Sequence, residues 1–500
     1  MAQFEIASGI DGGCIRQLFS DCTELGTDLH TFLIERDGKL LVRASKAPYD
    51  CTDMREVYSV TKSFTSVAVG ILIDAGKLSL DTRLCDVFPQ QVPQNADPRA
   101  LAVRVRDLLS MQGGQPQCTM AQVEYAEHPV ACFLGQPFDR KPGEYFVYNT
   151  ACSCMLGEIV REISGMSLFD FMARHIFAPL GIQNVRMNTT RSGAAEAGAG
   201  LQISADDLLK FGEMLLGGGL YRGKRIVSQK YVEEATAFHA DTAGRWGNAD
   251  SAAGYCYHFW RNSVGGYRLD GSDGQFVLMF PQEKTIVVIQ SYSTDVQALL
   301  DRVYALLPQI DRAKGQGPIP SEPLLPHMPL RLCDGFYALD ENLFGFTQLW
   351  LHTDDEAVHL TLTNGSGAQT LSAGRGKFLQ SAITAPYYRP KLCPILRQDT
   401  VERTVTAACC AAAADGTELF LYHKSCPHPA RLLLQQSGDV ILITMQSNGR
   451  HDPAACRITG RCVQTQKSRV KAEKTKIFFQ KASSGFGDVS FKERSGRFKA

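Results

Sequence analysis

Ser59 and Lys62 are the residues of this chain whose types and spacing most directly suggest chemistry. Serine is a poor nucleophile until a neighbouring base accepts its proton, and a lysine can do this where burial or nearby positive charge favours its neutral form. Residues three apart on a helix share a face, so a helix beginning near Ser59 would place the amine beside the hydroxyl. The pair therefore predicts an activated serine.

The residues after Ser59 predict the helix that this arrangement needs. Apolar side chains recur at helical spacing, at Val60, Phe64, Val67 and Ile71. Gly76 is a suitable C-cap, so we predict one buried helix over residues 59–75. A serine in its first turn would lie at the positive end of the helix dipole, near unpaired N–H groups that can stabilise an oxyanion.

The four-residue motif is weak evidence when it stands alone. Ser468 and Lys471 repeat the same spacing in a strongly basic segment, so chance supplies such matches. Ser59 could also be an ordinary N-capping serine with Lys62 solvated beside it. The rest of the chain has to decide between these interpretations.

Charge is distributed unevenly along the 500 residues although the formal net charge is zero. Residues 463–500 hold ten Lys or Arg against three Asp or Glu, which leaves 42 against 49 in residues 1–462. A body of net negative charge gives no reason to expect a nucleic-acid partner or an anionic membrane surface. The sequence does not specify an oligomeric state.

Targeting segments, long apolar runs and the spacing of cysteines and histidines bear on the cellular location and on cofactors. The first residues lack a basic segment followed by an apolar one, and no run approaches eighteen apolar residues, so we expect a cytoplasmic protein. The sixteen cysteines are scattered, which indicates mainly reduced, packed side chains. We expect no metal and no cofactor, because the one candidate cluster lacks the spacing of a zinc finger. Its members are Cys409, Cys410, His423, Cys426 and His428.

Strand patterns stand at both ends of the first 300 residues. Residues 28–45 predict a β-hairpin around Asp37 and Gly38, and residues 276–290 predict a second hairpin, after which Thr294 would cap a helix. Helical patterns lie between them, near residues 105–111, 150–163, 168–176 and 205–216. We therefore predict an α/β domain with an antiparallel sheet flanked by helices and an all-α lobe, the cleft between them being a usual place for a ligand.

The remaining residues divide into a linker, a second domain and a tail. Five prolines mark residues 313–329 as a linker that ends a first domain at residues 1–312. Short alternating runs in residues 330–462 predict a small antiparallel β-barrel or sandwich. Residues 463–500 form a basic tail, which we expect to be disordered.

An ordered series of motifs between residues 28 and 295 resembles one known family. The motifs occupy residues 58–66, 70–81, 106–111, 142–144, 146–150 and 155–157. Together they resemble the serine hydrolases related to class C β-lactamases and low-molecular-weight penicillin-binding proteins. The resemblance implies a β-lactamase-like fold, an acylated Ser59 and an activating Lys62. Tyr148 matches the family tyrosine that shuttles protons, although a packed core tyrosine is an alternative.

The second and third family motifs are altered. The usual Tyr-x-Asn becomes Tyr148, Asn149 and Thr150, so the asparagine stands one place early, and either residue could instead cap the following helix. The third motif maps to Leu269, Asp270 and Gly271, which lacks the usual cation for a substrate carboxylate. The resemblance implies that the backbone N–H groups of Ser59 and Ser272 hold the oxyanion; Ser272 and Asp270 could equally be turn residues.

Arg268 or Tyr267 are the candidates to substitute for the missing cation, although strand alternation would point Arg268 away from Leu269. The sequence thus predicts a serine hydrolase that acts on a small ester or amide through a Ser59 acyl-enzyme. A catalytically silent binder or sensor, or a partner-recruiting role of the second domain, are the alternatives.

Overall fold

The structure is a computed structural model that describes residues 3–6, 10–190, 193–310, 330, 332–342, 345–384, 403–413, 415–425, 429–447 and 456–463. The predicted linker at residues 313–329 lies outside these ranges, and of the predicted tail only Val463 lies within them.

Twelve α-helices occur in the part of the chain that the structure describes. They are α1 (Gly12–Glu24), α2 (Thr61–Asp74), α3 (Leu84–Val87), α4 (Val105–Leu109), α5 (Met120–Tyr125), α6 (Pro129–Leu134), α7 (Thr150–Ser164), α8 (Leu168–Met172), α9 (Ala178–Leu180), α10 (Ala205–Leu216), α11 (Gln229–Thr236) and α12 (Val296–Leu306).

The strands of the first domain follow the same order along the chain. They are β1 (Gln3–Ile6), β2 (Asp28–Arg36), β3 (Lys39–Ser45), β4 (Arg55–Glu56), β5 (Arg186–Met187), β6 (Leu201–Ile203), β7 (Leu220–Tyr221), β8 (Lys224–Arg225), β9 (Trp260–Arg261), β10 (Tyr267–Gly271), β11 (Gln275–Phe280) and β12 (Thr285–Tyr292). Seven of them form one antiparallel sheet in the order β1-β3-β2-β12-β11-β10-β9.

The central sheet combines strands from both ends of the first domain, as the two predicted hairpins indicated. Strands β2 and β3 join through Asp37 and Gly38, whose φ angles of 53° and 73° suit the tight turn that was predicted there. Strand β12 then pairs antiparallel with β2, with Val288 opposite Leu33. Successive side chains of a strand point to opposite faces of the sheet. Apolar residues occupy both positions, for example Val277 and Leu278, so the sheet contributes to two cores, one on each face.

Each face of the sheet packs against a different set of helices. One core lies between the sheet and the helical lobe and includes Phe64 of α2, Leu156 of α7 and Leu269 of β10. The other lies against α1 and α12 and includes Leu18, Phe276 and Leu299. The cleft that carries the site lies where the helical lobe meets the β10 side of the sheet.

Several predicted helix ends shift in the structure. The predicted helix at residues 59–75 is a 3₁₀ turn, Tyr58–Val60, followed by α2. The predicted cap at Thr294 is wrong: the Asp295 carboxylate accepts from Ala298 N, so the cap lies one residue later. The helix predicted at 168–176 is α8 followed by the π-helical turn Ala173–Phe177.

The second domain is a closed antiparallel β-barrel, as predicted. Its strands are β13 (Gly335–Leu339), β14 (Gln348–Thr353), β15 (Ala357–Asn364), β16 (Gly367–Arg375), β17 (Leu379–Thr384), β18 (Arg403–Ala413), β19 (Gly416–His423), β20 (Ala430–Ser437), β21 (Val440–Ser447) and β22 (Cys456–Cys462). The strands pair antiparallel except at one place, where a parallel pairing of β16 with β18 closes the sheet. Alternate residues such as Leu349, Leu419 and Ile441 fill its core.

The barrel contacts the first domain through the end of β19 and the turn after it. The rings of Tyr49 and Tyr422 meet edge to face with centroids 5.9 Å apart. Lys424 Nζ lies 3.0 Å from Asp53 Oδ1 in an ion pair that is mostly shielded from solvent. The barrel is thereby joined to the segment that leads into α2.

Candidate active site

Ser59 and Lys62 meet as their spacing predicts. Lys62 Nζ lies 2.9 Å from Ser59 Oγ and also donates to the Gly198 carbonyl oxygen at 2.7 Å. The Lys62 side chain is 1% exposed, whereas Ser59 remains partly accessible. Burial is the condition that favours a neutral, proton-accepting amine. The Ser59 hydroxyl thus stays accessible while the Lys62 amine is enclosed.

The turn that carries Ser59 is held in an unusual backbone conformation. Tyr58 has a φ of 46°, which costs a residue with a Cβ about 1–2 kcal/mol. The Thr61 hydroxyl stabilises this turn because it donates to the Tyr58 carbonyl at 2.6 Å and accepts from Leu201 N at 3.0 Å. Strand β6 therefore fixes the direction in which Ser59 points.

Tyr148 lines the same cavity as Ser59 and directly precedes Asn149, the residue before helix α7. Lys62 Nζ is 5.0 Å from the centre of the Tyr148 ring. Burial raises the pKa of the Tyr148 phenol, whereas a hydrogen bond with the Ser59 side chain lowers it, and burial is the larger effect. The phenol is therefore protonated at neutral pH, so it can give a proton but does not start as a base.

Asn149 and Thr150 have different surroundings in the structure. Asn149 is the N-cap of α7: its Oδ1 accepts from Ala151 N and Thr119 N, and its Nδ2 donates to Gln115 Oε1 and Thr119 Oγ1. With its amide fully engaged and 2% exposed, Asn149 anchors the loop around Thr119. This matches the capping alternative.

Thr150 instead lies close to Lys62, next to the Gly198 backbone. A Cβ built on Gly198 would lie 2.3 Å from Thr150 Cγ2 and 3.4 Å from Lys62 Nζ. Only a glycine therefore allows the 198 backbone to approach closely enough to accept the Lys62 hydrogen bond. The Gly198 loop supplies the acceptor that orients the amine.

Strand β10 brings the altered third motif to the cleft. Leu269 is fully buried in the core beneath the helical lobe. A Cβ at Gly271 would lie 2.2 Å from the Val57 carbonyl oxygen, so the missing side chain lets β10 approach the segment before Ser59. Ser272, the next residue, lines the same cavity as Ser59 and Tyr148.

Four residues of the site had no signal in the local sequence. Trp246, Trp260 and Asp250 line the cavity with Ser59, from a loop and a short edge strand far along the chain. His258 lies behind the lysine, with Nε2 3.0 Å from Ser153 Oγ. Burial, and secondarily the charge of Lys62, lowers the pKa of His258 to about 3, so this imidazole is neutral.

The structure describes three members of the candidate metal cluster in the barrel, namely Cys409, Cys410 and His423. His423 Nδ1 lies 2.9 Å from Thr406 Oγ1, and burial lowers its pKa to about 4. Cys426 and His428 lie outside the described residues. Within the described ranges, no group of three or more His, Cys, Asp or Glu side chains is placed to hold a metal ion. No helix among the same residues is both long and apolar enough to span a bilayer.

The fold and the Ser59 site together define a class of protein. The family model described as Beta-lactamase matches residues 30–307, more than half of the chain. The chain therefore belongs to the Beta-lactamase family, and it is a serine hydrolase of that group.

Curated relatives have related but different activities in their names. The 6-aminohexanoate-dimer hydrolase of Paenarthrobacter ureafaciens is 24% identical over 298 residues, which cover 55% of this chain and 73% of that protein. Penicillin-binding protein 4 of Amycolatopsis lactamdurans is 28% identical over 44% of this chain and 66% of its own length. The lovastatin esterase of Penicillium rubens is 24% identical over 36% of this chain and 51% of its own.

Solved structures share the fold at low identity. The octameric penicillin-binding protein homologue from Pyrococcus abyssi has a TM-score of 0.51 and 17% identity, with 90% of this chain and 99% of that chain covered. A family VIII carboxylesterase has a TM-score of 0.50 and 19% identity over 62% of this chain and 100% of its own.

Proposed function

We propose that this chain hydrolyses a small ester or amide through an acyl-enzyme on Ser59. The observation that carries the proposal is the 2.9 Å contact of Lys62 Nζ with Ser59 Oγ, made by an amine that is 1% exposed. A buried amine at that distance can accept the hydroxyl proton as the oxygen attacks. Tyr148 at the same oxygen completes a path for that proton.

The first half-reaction acylates the serine. Ser59 Oγ forms a bond to the carbonyl carbon while its proton passes to Lys62 Nζ. The protonated phenol of Tyr148 gives its proton to the leaving oxygen or nitrogen as the bond from that atom to the acyl carbon breaks, and Lys62 returns a proton to Tyr148. The leaving alcohol or amine departs neutral, and the enzyme's protons are restored.

The second half-reaction returns the free enzyme. A water molecule attacks the ester on Ser59 while its proton passes through the Tyr148 and Lys62 pair to Ser59 Oγ, which leaves as the hydroxyl. The product is the carboxylic acid. In both halves we assign the backbone N–H groups of Ser59 and Ser272 to the oxyanion, with Gly271 allowing the approach of β10 that brings them together.

Other assigned residues position the reacting groups. Thr150 packs against the Gly198 loop that orients Lys62, and Asn149 fixes the loop that frames Tyr148. The relatives' names include a dimer hydrolase, an esterase and a penicillin-binding protein, so we propose the ester or amide class without choosing a compound. We do not favour the silent binder, because a base and a proton donor both lie at Ser59.

Turnover of short-chain phenyl esters by Ser59→Ala and Lys62→Ala tests the proposal. We expect both variants to lose at least about 10³-fold in kcat, as for removal of a nucleophile or of its base. Ser468→Ala is the matched control, because Ser468 has a lysine at the same spacing, and it should retain wild-type turnover. Turnover by Ser59→Ala at the wild-type rate would refute the nucleophile.

A further inference from the structure

The cavity beside Ser59 has a charge pattern that concerns the substrate. It encloses about 210 Å³ and is lined by Ser59, Tyr148, Trp246, Trp260, Asp270 and Ser272, among others. This is room for a small acyl group. The charged side chains on its lining are Asp250, Arg268 and Asp270, two acids and one base among the described residues.

Arg268, the arginine on the cavity lining, is already hydrogen-bonded to other groups of the protein. Arg268 Nε donates to Asp270 Oδ2 at 2.8 Å, and Nη1 donates to the Arg261 carbonyl oxygen. Both terminal nitrogens also lie 3.4–3.5 Å from the Asp250 carbonyl oxygen. These contacts engage four of the five N–H groups, and with 2% of its side chain exposed Arg268 is enclosed away from a substrate carboxylate. It therefore does not replace the cation that Leu269 lacks.

Asp270 is the charged group that the cavity does present. Its side chain is 25% exposed, whereas those of Arg268 and Asp250 are 2% exposed. Oδ2 accepts the Arg268 hydrogen bond, and Oδ1 has no hydrogen bond within the part of the chain that the structure describes. Asp250 and Asp270 outnumber Arg268 among the charged side chains that line the cavity.

Three aromatic rings line the same cavity as this carboxylate. Tyr148 and Trp260 stack with centroids 5.7 Å apart, and Trp246 meets Trp260 nearly perpendicular at 5.5 Å. Trp246 is 43% exposed, an unusual exposure for so large an apolar ring. Electron-rich ring faces near a carboxylate attract alkylammonium groups, which carry both apolar surface and positive charge.

We propose that this cavity selects acyl donors that carry a positively charged amine, with the ammonium group at Asp270 and the adjoining methylene groups against Trp246 and Trp260. A carboxylate at the same position of the substrate would face Asp270 and be rejected. This inference rests on the function proposed above, since it concerns the substrate of the Ser59 site.

A matched series of phenyl esters tests the inference. The acyl chains have equal length and end in trimethylammonium, in the isosteric tert-butyl group, or in a carboxylate. For the wild-type protein we expect kcat/KM for the ammonium ester to exceed that for the tert-butyl ester about tenfold, and the carboxylate ester to be slowest. Each comparison is a ratio within one enzyme, so partial loss of folded protein cancels.

Variants of Asp270 test whether its carboxylate causes the preference for the ammonium ester. In Asp270→Asn the ratio of ammonium to tert-butyl ester should fall to within about twofold of one, and Asp270→Glu should keep it above one. The control Asp139→Asn alters an exposed acid on another loop and should keep the wild-type ratio. As a measurement that needs no variant, tetramethylammonium should inhibit tert-butyl ester turnover by the wild-type protein more strongly than acetate does.

The outcomes separate the two proposals. Ester turnover that depends on Ser59, with no preference for the ammonium ester or with the preference kept in Asp270→Asn, would overturn the inference and leave the proposed function standing. If none of the three esters reacts and a fluorophosphonate does not label Ser59, the proposed function fails and the inference fails with it.

Discussion

The backbone N–H of Glu56 donates to the carbonyl oxygen of Ser425 at 2.9 Å, which joins the barrel to the strand that ends three residues before Ser59. Strand β4 pairs with β6 on one side, with Arg55 opposite Ile203, and receives the barrel turn at Glu56. The second domain therefore braces the segment that leads into the nucleophile.

The ion pair of Asp53 with Lys424 should contribute to this docking. Its side chains are only 15% and 22% exposed, so we expect a coupling free energy of about 0.5–1 kcal/mol in a double-mutant cycle of Asp53→Ala and Lys424→Ala. Urea unfolding of the four proteins measures it. Strictly additive effects of the two changes would contradict this contact.

Removal of the Tyr148 hydroxyl should slow catalysis while leaving the fold intact. Because the protonated phenol supplies the proton of the leaving group, we expect Tyr148→Phe to lower kcat for alkyl esters by about 10²–10⁴. The loss should be smaller for phenyl esters, whose leaving groups need less protonation. Tyr221→Phe removes a buried hydroxyl that has no hydrogen-bond partner among the described residues and serves as the control. Equal losses for both ester classes would argue against a proton-donor role.

Gly271→Ala should impair the site through backbone contact. The added Cβ would lie 2.2 Å from the Val57 carbonyl oxygen, so β10 must move away from the turn that carries Ser59. We expect a destabilisation of about 1–3 kcal/mol and a fall in kcat larger than this explains. Gly365→Ala, where the new Cβ meets no atom within 4 Å, is the matched control. Wild-type kcat in Gly271→Ala would show that this close approach does not position the oxyanion donors.

The stability of the first domain should fall as the pH rises from about 4.5 to 8. Burial, followed by the charge of Glu213, raises the pKa of Glu35 from 4.5 to about 8. A carboxyl whose pKa is raised by folding binds its proton more tightly in the folded chain, so the free energy of unfolding decreases between pH 4.5 and 8. The same two carboxyls repel once both are ionised.

Glu35→Gln removes this titration. We expect its melting temperature to exceed that of the wild-type protein above pH 8, by about 2–4 °C for each kcal/mol relieved, and the difference to shrink near pH 5. Differential scanning calorimetry across that range measures it, with the exposed Glu283→Gln as control. A difference that does not change with pH would contradict the raised pKa of Glu35.

Local patterns predicted much of this molecule. Helix α10 was expected at its observed bounds from the helical pattern of residues 205–216, and the structure adds that Ser204 caps it. The Asp37 and Gly38 turn and the pairing of Ser59 with Lys62 also follow from residues close in sequence. Such features depend on backbone geometry over a few residues, which composition and spacing determine.

The remaining parts of the site depend on long-range contacts. Arg268 is held by Asp250, 18 residues earlier, and Asn149 by Gln115, 34 residues earlier. Neither partner belongs to the same element, so spacing could not identify them. Strand alternation correctly predicted that the side chains of Arg268 and Leu269 point to opposite faces of β10. It did not predict that Arg268 would line the cavity beside Ser59.

The mass of a covalent adduct on Ser59 tests the central claim most directly. Brief exposure to a fluorophosphonate, followed by intact-protein mass spectrometry and peptide mapping, should show one added phosphonyl group on the peptide that contains Ser59, and Lys62→Ala should acquire it far more slowly. An unlabelled Ser59 peptide beside active, folded protein, or a label on another serine, would contradict the account.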